Sequence, residues 1–93
     1  MTKFNELHQV VNAILMDAQT ANNIFDFKSV VTQIDRLLED LGNAWHRAMI
    51  MLTEEEKQEK HDKFQRVGKI MLRLEELRSE CVGEILEIVK FEI

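Results

Sequence analysis

Apolar residues recur along most of this chain at alternating intervals of three and four, and a polypeptide that keeps this beat has one economical way to bury them, on a single stripe of an α-helix. The first series runs through Phe4, Leu7, Val11, Ile14, Ala18, Ala21 and Phe25. A second runs through Phe27, Val31, Ile34, Leu38, Leu41, Trp45, Ala48 and Leu52. Phe25 and Phe27 cannot share one stripe, so the phase slips between them and a turn is expected near Asn22 to Asp26, where Asn22 and Asn23 suit a left-handed helix terminus. Thr2 is a suitable N-cap for the first helix.

The sharpest local signal is Thr53-Glu54-Glu55-Glu56, a capping box that predicts a helix start, with three acids on the positive end of the helix dipole. Beyond it Phe64, Val67, Ile70, Met71, Leu74, Leu77, Cys81, Ile85 and Ile88 form a broad stripe, with Gly68 and Gly83 as candidate bends. The chain has no proline and three glycines, and no stretch alternates with period two for long enough to make a strand. The expected fold is all-α: an antiparallel helical hairpin or three-helix bundle with coiled-coil-like packing. It forms one domain over residues 1–93, with helices at about 3–22, 27–52 and 54–89. A break at Gly42-Asn43 would make four helices, but the stripe runs through it and favours continuity.

The net charge of −5 is spread over both halves of the chain, and every basic stretch is interleaved with acids. Nucleic-acid affinity needs clustered Lys and Arg, so no such partner is expected. No segment approaches the ~20 apolar residues that cross a bilayer, and no membrane partner is expected. The first residues lack the basic stretch and apolar core of a signal peptide, and Cys81 is the one cysteine, so a cytoplasmic setting is expected. Glu80 and Glu84 flank Cys81, which would keep its thiol unreactive, and its place on the stripe marks it as core.

Chemistry-bearing patterns are missing from the sequence. His8, His46 and His61 have no His or Glu at helical metal-site spacing. Neither His46-Arg47-Ala48-Met49 nor His61-Asp62-Lys63-Phe64 carries the Lys-Gly pair of phosphotransfer bundles. No glycine-rich phosphate loop or nucleophile elbow is present. No catalytic residue, metal or cofactor is therefore assigned.

Helices of about 20, 26 and 35 residues, roughly 30, 39 and 52 Å, cannot cover one another fully. One uncovered cluster is expected at Ala48, Met49, Ile50, Met51 and Leu52, facing a Glu54–Lys63 stretch that has no apolar residue. A second is expected in Cys81 to Ile93, with Val82, Ile85, Leu86, Ile88, Val89, Phe91 and Ile93. Leaving such clusters in water favours association. The candidate partner-binding residues are Trp45, Met49, Ile50, Met51, Leu52, Ile85, Leu86 and Val89, although Trp45 also fits the core. A short fourth helix folding back over both clusters would instead give a closed monomer.

The outline resembles that of FliT-type flagellar export chaperones over Phe25 to Leu38 and Ile70 to Leu86. It is also similar to WXG-type secreted hairpins, which place a Trp near mid-chain as Trp45 is placed. The glycine that those hairpins carry two residues later is Arg47 in this chain, and their C-terminal Tyr signal is missing because the chain has no Tyr. These likenesses carry no residue assignments across. The expected function is a non-enzymatic protein-interaction module, a helical adaptor, chaperone or inhibitor binding a protein partner, itself or both. The alternative is a structural homo-oligomer, and a metal-binding or phosphotransfer bundle ranks third.

Overall fold

The computed structural model describes residues 2–92, with the side chains of residues 6–91. Four helices occur among them: α1 (Thr2–Thr20), α2 (Ile24–Met51), α3 (Glu54–Glu59) and α4 (His61–Glu92), with no strand. The all-α bundle follows from the stripes. α2 packs mainly on α4, and α1 lies on α2. The capping proposed for Thr2, the seam position of Phe4 and the apolar contribution of Ile93 lie outside the described side chains.

The turn between α1 and α2 is shorter than expected and is capped differently. No described residue has a positive φ, so neither asparagine takes a left-handed cap. Asn23 instead sits in extended backbone as the N-cap of α2 (φ −144°, ψ 169°). Its side-chain oxygen accepts from the Asp26 amide at 3.0 Å, and its Nδ2 donates to Asp26 at 3.1 Å. This satisfies an otherwise unpaired amide of the first turn, and α2 therefore begins at Ile24 rather than Phe27. Phe25 thus does not belong to the seam of α1. It lies in the first turn of α2 and points to solvent, 79% exposed, while Ile24, three residues before Phe27, leads the α2 stripe.

α2 continues through Gly42 and Asn43 without a break. The interruption comes at Lys60, which separates α3 from α4 with φ −98° and ψ 10°, so the expected single helix over 54–89 is two. Neither glycine of α4 breaks it. The physical reason lies in residues 54–63: with no apolar side chain, this stretch has nothing to pin to a neighbour, and the packed stripe of α4 starts only at Phe64. The capping box forms as expected, with Thr53 Oγ1 accepting from the Glu56 amide and Glu56 Oε1 accepting from the Thr53 amide, both at 3.2 Å. Hydrogen bonding to the Glu56 carboxyl from the Thr53 backbone, and then from its side chain, holds that carboxyl below its usual range.

The core is a cluster of Ile14 from α1, Val30 and Ile34 from α2, and Leu74, Leu77 and Cys81 from α4. Val30, absent from the single stripe read in the sequence, is buried because α2 faces two helices at once and needs a wider apolar arc. Burial, with Glu80 and Glu84 beside it, pushes the Cys81 thiol up, so the thiol is a packed apolar group rather than a nucleophile. Opposite α1, Arg78 Nε donates to Asp35 at 2.6 Å, a half-exposed pair that joins α4 to α2 beside the core. The molecule measures 56 × 22 × 16 Å, with a radius of gyration of 15.9 Å. A compact chain of this length would have about 12 Å.

Candidate functional site

α2 is nine residues longer than α1 (28 against 19), and the two are joined at the start of α2, so about 13 Å of its far end runs beyond α1. Trp45 lies in that overhang. It packs edge-on against Phe64 of α4, with ring centroids 5.0 Å apart and planes at 67°, the geometry that aromatic quadrupoles favour. Both rings remain half-buried. Gly68 lies under the ring, and a Cβ there would meet Trp45 in ordinary contact at 3.8 Å.

On the side turned away from α1, Gly42, Trp45, His46 and Met49 of α2 face Gly68, Met71, Leu72 and Glu75 of α4 across an open groove of about 400 Å³. The opposition to α1 follows from helical phase. Gln33, Arg36, Leu37 and Asp40 border the α1 side with Val10 and Ile14, half a turn from the groove residues. Glycine at positions 42 and 68 keeps the floor of the groove low. Leu72 stands on its edge, 61% exposed.

The residues expected to bind a partner do not form one surface. Trp45 and Met49 border the groove, with Ile50 and Met51 beyond them, 70% and 79% exposed. Leu52 is half-buried where its amide closes the helix on Ala48. Ile85, Leu86 and Val89 lie at the opposite end of the molecule, because α4 runs antiparallel to α2. Of these, Leu86 is exposed, while Ile85 and Val89 are half-buried. No segment among the described residues folds back over Ile50, Met51 or Leu86.

Sequence reading missed Phe25, exposed at the Leu86 end beside Phe91, which the second expected cluster already included, and it missed the groove wall of Met71 and Leu72. Leu72 had a legible signal, an apolar residue next to Met71 and one step off the stripe. Gly68, a candidate bend by sequence, lies under the Trp45 ring.

His46 borders the groove, while His8 and His61 lie elsewhere on the surface. Among the described residues no group of three His, Cys, Asp or Glu side chains could hold a metal ion, and no helix is long and apolar enough to cross a membrane. The chain matches no family model, no curated protein and no solved structure.

Proposed function

We propose that this chain is a non-enzymatic protein-interaction module, a small helical adaptor, chaperone or inhibitor that presents the far end of α2 to a protein partner. One observation carries the reading: Ile50 and Met51 stand in water at the far end of α2, beyond the half-buried Trp45. Burying an Ile or Met side chain is worth about 1.5–3 kcal/mol, so a partner that covers both gains a usable share of a binding free energy. Met49 and Met51 add adaptable surface, and Trp45 supplies a rigid anchor at its edge. The fitting mode is a partner helix or groove laid along the end of α2. A reducing, cytoplasmic setting accords with one buried thiol.

The test uses Ile50→Glu and Met51→Glu, substitutions at exposed positions that leave the core alone. A partner captured by the intact chain, then identified and purified, is titrated against both variants. The expected result is a loss of affinity of about tenfold or more, equivalent to about 1.4 kcal/mol, with unchanged helicity. Full binding by both variants, with loss on Phe25→Glu or Leu86→Glu, would move the site to the other end and overturn the reading.

A further inference from the structure

The groove face carries a hole and a knob within one helical turn of each other. The hole lies over Gly42 and Gly68 beside Trp45, and no heavy atom comes within 4 Å of a Cβ placed on Gly42. Leu72 is the knob. A twofold interface requires this pairing, because each copy must offer what the other receives. The charges on this face are of both signs: Glu75 on the rim, and one turn further the Asp35–Arg78 pair, neutralised within the chain.

Area points the same way. The chain exposes 7075 Å², whereas a compact monomer of 11.0 kDa would expose about 5,600 Å². The excess of about 1,500 Å² follows from the 56 Å length of the molecule and leaves room for the roughly 800 Å² that each partner gives to a standard stable interface. We infer that a second copy of this chain occupies the groove, the two related by a twofold axis, each Leu72 entering the hollow beside the other's Trp45. The pairing joins two α2–α4 hairpins on their open faces into one core and leaves Ile50 and Met51 at its margin. It goes beyond the docking reading and does not depend on it.

Trp45 is the only tryptophan, which makes the groove its own reporter. The experiment is a dilution series followed by sedimentation and by tryptophan emission. The expected result is a dimer at micromolar concentration whose dissociation shifts Trp45 emission to the red with the same midpoint. Leu72→Glu, and Gly42→Leu, whose Cβ meets no atom within 4 Å and whose side chain enters the hollow, each weaken the dimer about a hundredfold or more, as loss of a central anchor does. Both keep wild-type helicity, and Ile50→Glu leaves the dimer intact.

A wild-type monomer at millimolar concentration overturns the inference. So does a dimer that survives both groove variants, or one that dissociates without moving the tryptophan spectrum. A monomeric chain whose groove variants lose a captured protein assigns the groove to that protein instead. Loss of partner binding in Ile50→Glu beside an absent dimer leaves the docking reading standing while this one falls.

Discussion

The two halves of the α2–α4 hairpin are built from the same kinds of residue and end in different states. Where α1 lies across them, Ile34 is 0% and Leu74 1% exposed, and Ile14 of α1 closes the cluster. Past the reach of α1, Trp45, Phe64 and Val67 are half-buried, and Met49 is 39% exposed. Two helices in contact bury only the line between them, and a third is needed to turn that line into an interior. The same apolar periodicity therefore yields core in one half and a wet seam in the other.

The largest expected effect lies in the covered half. Ile34→Ala should cost about 3–4 kcal/mol, as removal of a fully packed Ile leaves a cavity. Trp45→Ala, though a larger truncation, should cost about 2 kcal/mol, roughly half the figure for a buried aromatic. Urea unfolding followed by circular dichroism measures both. A Trp45→Ala cost equal to or above that of Ile34→Ala would break the contrast.

Thr53→Ala should cost about 1 kcal/mol through loss of the capping box, and Thr53→Ser should restore most of it. Gly83→Ala should stabilise by up to about 1 kcal/mol, since this glycine lies within a helix and the added methyl meets nothing within 4 Å, whereas Gly42→Ala should not, its methyl lying where the second copy's Leu72 enters. A rise in thermal midpoint checks this. Equal stabilisation by Gly42→Ala would show that the open face is empty in solution.

The smallest effect is acid-sensitive. Because the Glu56 carboxyl is held below its usual value near 4.5 in the folded chain, its contribution is complete above that value and is lost as pH falls through the depressed one. Protection of the Thr53 and Glu56 amides, taken relative to their intrinsic exchange rates from about pH 5 down to about pH 2, should fall more than protection in the covered core, and Thr53→Ala should flatten the difference.

Helix type and the pairing of stripes were legible in the sequence because a period near 3.6 is a local property of the chain. The capping box was legible for the same reason, all its atoms lying within Thr53 to Glu56. The phase at the first turn was harder, since Ile24, Phe25 and Phe27 are all apolar. Only the Asn23 cap decides that Ile24 faces inward and Phe25 outward. Val30 was hidden because a one-stripe count assumes one neighbour.

The break at Lys60 left no mark in composition, lysine being a good helix former. It arises from packing that residues 54–63 lack. Of the candidate surface, Ile50 and Met51 followed from helix lengths alone. The groove did not, because it depends on how Gly42 and Gly68 come level across two helices, a matter of register over more than twenty residues.

The unpinned α3 segment also bears on which changes of length this fold can absorb. Since the buried cluster of Val30, Ile34, Leu74 and Leu77 and the Trp45–Phe64 contact already set how α4 lies on α2, α3 spans the gap without dictating alignment. Inserting or deleting a residue between Glu54 and Lys60 would change the span of the bridge and leave the grip of the two long helices as it is, whereas the same edit in α2 or α4 would rotate every later side chain off its stripe.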